Sequence, residues 1–259
     1  MKTKYPILLA HGIVLKDFKR FKAFGKIEKV LKDEGYIVYT SLTDGFGTIE
    51  NNAIILKEQI LEILTKHNVE KINIIAHSKG GLDSKYMIKE LDMEDKVASL
   101  TTLSTPHKGS KIATNLLKLP KFMIKIIAWF INTFYKITGD KNPDCIKVAK
   151  QLSSVDSVEN ETINFSNKVY CQSYSSTMKK SKDDFVMGIP LIFSKYFEKG
   201  DTDGMVSKES SKFGEYKGDC IDDSISHSEI VDFMVKKKKK EKIYAFYKQI
   251  CEDLAKRGF

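Results

Sequence analysis

The segment Ala76-His77-Ser78-Lys79-Gly80 sets a serine between small residues, after an apolar run and before a helical pattern. On a tight strand-to-helix turn the serine is lifted above the sheet edge, and the residues two before and two after it must be small to avoid clashes. The free N–H groups of the following helix favour a developing oxyanion. The spacing therefore predicts acyl transfer, with Ser78 as the nucleophile.

A serine hydroxyl attacks poorly until a base takes its proton, and in this arrangement the chain order is Ser, then acid, then His. Two histidines follow Ser78. His107 lies in Thr105-Pro106-His107-Lys108-Gly109-Ser110, directly after a strand. His227 lies in Ser226-His227-Ser228-Glu229, where a last strand-to-helix loop would deliver an imidazole. His227 is the expected base; the competing reading is a loop histidine without a role. The acid must orient the imidazole through its other nitrogen. Asp203 is the favoured acid, because Asp201-Thr202-Asp203-Gly204-Met205-Val206 reads as a rigid turn at a strand end. Asp201 is the nearest competitor, and Asp222 and Asp223 are weaker ones. Two oxyanion donors are needed. The expected pair is the backbone N–H of Lys79 and that of Ile13 in His11-Gly12-Ile13, with His11 as a structural hydrogen-bonder.

The elements that must position these residues alternate. Strands are expected at Tyr5–Ala10, Tyr36–Thr40, Lys71–Ala76 and Val97–Leu103, with helices across Lys16–Asp33, Ile49–His67 and Lys79–Leu91. Such alternation implies right-handed crossovers and a parallel sheet. Residues 111–165 break the pattern with apolar helical stretches, above all Phe122–Ile131. Lys118, Lys121, Lys125 and Lys136 interrupt them, so a membrane span is rejected. A strand resumes near Val169–Ser173, and Lys239–Arg257 is an amphipathic helix, with the run Lys236–Lys240 as its solvated start.

The net charge of +9 invites a nucleic-acid reading. Arg20 and Arg257 are the only arginines, however, and the lysines are interleaved with acids along the whole chain. Base and phosphate readers favour the bidentate guanidinium, so no nucleic-acid partner is expected. Cys145, Cys171, Cys220 and Cys251 form no metal or redox motif and are expected to be reduced thiols. Met1-Lys2-Thr3-Lys4-Tyr5 runs straight into a strand-like segment, so no leader is expected within the given sequence. The expectation is a cytoplasmic protein, or a secreted one whose leader has been removed.

Five blocks carry a resemblance: Lys4–Gly12, Ile75–Gly81, Thr105–Ser110, Asp203–Val206 and His227–Val231. In that order they resemble the bacterial triacylglycerol lipases of the Pseudomonas/Proteus type. The resemblance implies an α/β-hydrolase fold and carries the nucleophile to Ser78, the acid to Asp203, the base to His227 and the oxyanion donors to Ile13 and Lys79. It also makes the stretch after Gly109, to about residue 165, a lid. Three positions depart from the family. Ala76 stands where Gly is usual. The family's calcium ligands two and six residues after the histidine fall on Glu229 and Phe233, and Phe233 cannot ligate; Asp183 or Asp184 could supply a further carboxylate. No cysteine pair matches the family's disulfide. A metal site is thus unassigned, and no cofactor is expected for the chemistry.

The expectation is one α/β domain over residues 1–259. It has a mostly parallel sheet of about six strands flanked by helices, with a helical lid at 111–165. Its activity is expected to be hydrolysis of triacylglycerol or other fatty-acyl esters, by a monomer acting on a lipid or small ester substrate. The alternatives are a soluble short-chain carboxylesterase, an acyltransferase, and a catalytically inactive lipid-binding relative.

Overall fold

Strand β1 (Ile7–Ala10) alternates its buried side chains between two cores: Ile7 and Leu9 face one, Leu8 and Ala10 the other. A strand buried on both faces needs helices on both sides of its sheet. The computed structural model, which describes residues 2–13, 22–153, 165, 168–184, 187–197 and 200–259, supplies them. Five further strands follow: β2 (Val38–Thr40), β3 (Ile72–His77), β4 (Val97–Leu103), β5 (Tyr170–Ser175) and β6 (Glu215–Asp219). All neighbours pair in parallel, in the order β2-β1-β3-β4-β5-β6.

The face carrying Ile7, Leu9, Ile75 and Leu103 is covered by α1 (Ile27–Asp33) and α8 (Lys237–Lys256), through Ile27, Leu31, Phe246, Tyr247 and Ile250. The opposite face, with Leu8, Ile72, Ile74 and Leu100, is covered by α2 (Ile49–His67) and α3 (Lys79–Glu90), through Leu56, Ile60, Met87 and Ile88. Helix α2 runs where its periodicity predicts. Thr48 caps its start by accepting from Asn51 N, and Asn68 ends it in the left-handed region at φ +49°. Such caps satisfy the orphan backbone groups at a helix terminus.

Chain reversal about β1 decides where a ligand can bind. β2 lies on one side of β1 and β3 on the other, so the loops leaving β1 and β3 diverge at a switch point, where open sheets bind ligands. Ala10 pairs with Ala76, which brings the His11–Ile13 loop and the Ser78 turn out at the same edge.

Three expectations change. Part of the helix expected across Lys16–Asp33 lies outside the described residues (14–21), and the rest begins only at Ile27. Gly25 sits at φ +48°, and a Cβ there would approach the Asp232 carboxylate to 2.5 Å, so this position cannot continue a right-handed helix. Strand β6 and helix α7 (Gly188–Phe197) were not anticipated. β6 is an edge strand, part-exposed to fully exposed along its length, and so lacks an apolar signature. The Lys236–Lys240 run is not simply solvated: Lys239 and Lys240 are half-buried and pair with Glu229 and Asp232.

Of the expected 111–165 insertion, residues 111–153 form α4 (Lys111–Leu116), α5 (Lys121–Ile137) and α6 (Cys145–Ser153), while 154–164 lie outside the described residues. In α5 only Ala128 is fully buried; Phe122, Ile126, Trp129, Phe130, Phe134 and Ile137 are all exposed. No described helix is long and apolar enough to cross a membrane. The four cysteines are free thiols.

Candidate active site

Ser78 ends β3 and opens α3 at φ +54°, ψ −131°. A non-glycine residue held there stores strain, which neighbouring packing must over-determine. The packing is close. A Cβ on Gly12 would lie 2.8 Å from Ser78 Cβ and 2.9 Å from Lys79 N, and one on Gly80 would lie 2.5 Å from the carbonyl oxygen of Ala10. The backbone entering Ile13 therefore abuts the serine turn, which only glycine at position 12 allows.

His227 Nε2 stands 2.9 Å from Ser78 Oγ, and His227 Nδ1 stands 2.8 Å from Asp203 Oδ2. Residues 149 and 24 positions apart are thus joined in one chain of hydrogen bonds. Asp203 is fully buried. Its Oδ1 accepts Met205 N at 3.0 Å and Val206 N at 2.8 Å, and its Oδ2 also accepts Ser176 Oγ at 2.9 Å. Burial alone would raise this carboxyl, but the His227 ring and the two backbone N–H groups outweigh it and hold it below the usual carboxylate range. His227 N also donates to the Asp203 carbonyl at 3.0 Å, clamping the two loops together.

The competing residues lie elsewhere. His107 Nε2 is 3.1 Å from Thr102 Oγ1, and its ring stacks on Phe213. Asp201 and Asp222 are exposed, and Asp223 pairs with Lys242 at 2.7 Å. His11 is buried, with Nδ1 2.9 Å from the Gly12 carbonyl and Nε2 3.3 Å from Thr43 Oγ1.

Several neighbours escaped the sequence. Ser176 links Asp203 to Ser104 through a 2.6 Å hydroxyl contact. The buried His77 ring tilts against His227 with centroids 4.5 Å apart. Burial, followed by the nearby His227, drives the His77 pKa well below the usual imidazole value, so His77 sits there neutral.

The side chain of Lys79 turns away from the serine. It is 1% exposed, and its Nζ lies 2.8 Å from both oxygens of the fully buried Asp83. Asp83 Oδ2 also accepts Asn52 Nδ2 at 2.9 Å, and Asn52 bonds both backbone groups of Asp44. Burial pushes the Asp83 carboxyl up to about 6, against the pull of Lys79 and Asn52. Removing one partner of a buried ion pair strands the other charge, typically at a cost of about 3–5 kcal/mol, whereas replacing both by apolar groups is often neutral. Asp83→Ala is accordingly expected to lower the urea-unfolding free energy by about that amount, with Lys79→Met/Asp83→Leu recovering most of it. A single variant as stable as wild type would show that the pair does not hold the turn.

Comparison with known proteins adds the family. The family profile described as palmitoyl protein thioesterase matches residues 6–230, which include Ser78, Asp203 and His227. The chain belongs to the palmitoyl protein thioesterase family. This thioesterase-family chain is also similar to triacylglycerol lipases, as the sequence blocks imply. It is 29% identical to triacylglycerol lipase 2 of Saccharomyces cerevisiae over 264 residues, covering 90% of this chain and 73% of that protein. It is 33% identical to a triacylglycerol lipase of Pseudarthrobacter phenanthrenivorans over 143 residues, covering 51% of this chain and 44% of that one, so the match spans less than half of the bacterial relative. A metagenomic carboxyl esterase of solved structure superposes with a TM-score of 0.73 at 13% identity, over 98% of this chain and 76% of the other. The thioesterase-family chain has the α/β-hydrolase fold and is a hydrolase of the lipase and esterase type.

Proposed function

We propose that the protein hydrolyses long-chain fatty-acyl esters through an acyl-enzyme on Ser78. The observation that carries this reading is the continuous Ser78–His227–Asp203 chain at 2.9 and 2.8 Å. Ser78 Oγ attacks the ester carbonyl while His227 Nε2 takes its proton. The same imidazole then protonates the leaving alcohol, and water repeats the sequence to release the acid. Asp203 holds the imidazole with Nδ1 protonated. The N–H groups of Ile13 and Lys79 would receive the oxyanion, an assignment supported by the close approach of Gly12 to Lys79 N. The similar lipases act on triacylglycerol, and the matched family is described as acting on palmitoyl thioesters. The acyl group is common to both.

The test is an active-site fluorophosphonate probe combined with nitrophenyl esters of increasing chain length. Covalent labelling and a preference for long acyl chains are expected. Absence of labelling would return the protein to a non-catalytic lipid-binding role, and a preference for acetate or butyrate would make it a short-chain esterase. A palmitoyl thioester assayed in parallel decides whether the leaving group is an alcohol or a thiol.

The helices of residues 111–153 are read as the lid. α5 presents a broad exposed apolar face, and such patches mark binding or moving elements. It meets the body near its C-terminal end: Tyr135 packs edge-on against Phe46 with centroids at 4.6 Å, Asp140 accepts Gly45 N and Phe46 N, and Asp44 accepts Lys141 N and Asn142 N. At a lipid surface the apolar face would meet acyl chains, with the exposed Lys121, Lys125 and Lys136 among head groups. Hydrolysis of a long-chain ester is therefore expected to rise abruptly as its concentration passes the solubility limit. A smooth saturation curve would instead make these helices a permanent cap.

A further inference from the structure

The lipases that the sequence resembles hold calcium beside the histidine loop, and the residues at the matching positions here do not fit such an ion. Glu229 is 2% exposed, and both its oxygens are bonded to Lys239 Nζ, at 2.9 and 2.8 Å. Its Oε2 also accepts Ser226 N at 3.1 Å. Asp184 Oδ2 accepts the hydroxyls of Ser226 and Ser228, the latter at 2.7 Å, and its Oδ1 accepts Met187 N at 3.2 Å. The next matching position is Phe233, which offers no side-chain oxygen. Among the described residues no three His, Cys, Asp or Glu side chains form a group that could hold a metal. Calcium asks for about six to eight oxygens. What stands here is one carboxylate already neutralised by an ammonium and another bonded to hydroxyls and a backbone N–H.

We propose that the Lys239 ammonium takes the place of the divalent cation in this chain: it neutralises Glu229 and ties the His227 loop to α8. The inference rests on His227 being the base. Lys239 lies in the first turn of α8, and its side chain is 14% exposed, against 3% for that of Glu229. Glu229 in turn bonds the backbone of Ser226, the residue before the imidazole. Without the ammonium, a buried carboxylate would stand uncompensated two residues from His227, and the loop could reach neutrality or water only by moving. An imidazole displaced by even a fraction of an ångström loses its alignment with Ser78 Oγ, and small misplacements of catalytic groups are costly. Lys239 is thus a positioning residue that acts through Glu229 and the loop.

The experiment compares metal dependence with lysine dependence. Wild-type protein dialysed against EDTA and then given millimolar calcium chloride is expected to show no shift in Tm and no change in rate on a soluble nitrophenyl ester. Lys239→Gln is expected to lower Tm by about 5–10 °C. It is also expected to lower kcat by about ten- to a hundredfold, the range seen when the groups orienting a site's ligands are removed, with KM unchanged. Lys239→Arg should recover most of both, because a guanidinium can fork the same carboxylate. If Lys239→Gln does not fold, Glu229→Gln/Lys239→Gln leaves no stranded charge and is expected to fold with kcat still reduced. Loss of Tm or rate in EDTA with recovery in calcium would overturn the proposal. So would wild-type kcat in a folded Lys239→Gln or in the double variant, or a loss of kcat that Lys239→Arg does not repair. Fluorophosphonate labelling of the wild type reports on the hydrolase reading separately, and the Tm comparisons stand whether or not it labels.

Discussion

Ser78→Ala is expected to lower ester hydrolysis by about a million-fold, the scale on which removing the nucleophile of a serine hydrolase collapses kcat. The methyl side chain keeps the turn intact, since the strain at φ +54° comes from the backbone and from packing against Gly12 and Gly80. His227 would retain Asp203 but would have no hydroxyl at 2.9 Å to deprotonate. What survives is catalysis by the oxyanion donors and by binding alone, about a thousand- to ten-thousandfold over water. The fluorophosphonate probe would no longer label the protein, while its far-UV circular dichroism and Tm should match wild type. Labelling that persists in the variant would place the nucleophile elsewhere and remove the basis of the proposed mechanism.

Asp203→Asn is expected to reduce kcat by about ten-thousandfold with little change in KM, because it reverses the imidazole rather than removing it. The carboxylate can only accept at Nδ1, so the proton sits there and Nε2 is free to take one from Ser78. An amide can donate to Nδ1 instead, leaving the proton on Nε2, facing the serine. The asparagine would still accept Met205 N and Val206 N, at 3.0 and 2.8 Å in the wild type, so the turn should hold. Asp201→Asn is the internal control: Asp201 is exposed and its backbone carbonyl accepts Lys208 N. Equal losses in the two variants would mean that the turn matters as a whole and that Asp203 has no separate role.

The serine turn was legible because its requirements are local. Ala76, Gly80 and Gly12 are small for steric reasons acting within a few ångströms of Ser78, and steric rules of that kind leave a mark in sequence order. β4 and α2 were legible at the same boundaries for a related reason: a fully buried strand and a one-sided helix each write their apolar period into consecutive residues. β6 left no such mark, since an edge strand buries little. The lysine run read as solvated because composition cannot show that Lys239 and Lys240 each face a buried carboxylate.

The choice among carboxylates belongs to the tertiary structure. Asp201 and Asp203 share one turn and one residue type, and what separates them is that one is exposed while the other is buried 2.8 Å from an imidazole 24 residues away. Ser176, His77, Asp83 with Asn52, and Lys239 were invisible for the same reason: each acquires its role from a partner that only folding brings near. The chain order of Ser78, Asp203 and His227, and the alternation that makes a parallel sheet, were determined by the sequence alone, because hydrophobic period and local sterics act along the chain. Which side chains share a hydrogen bond, and which ammonium meets which buried carboxylate, were decided in space, because burial and electrostatic pairing act across it.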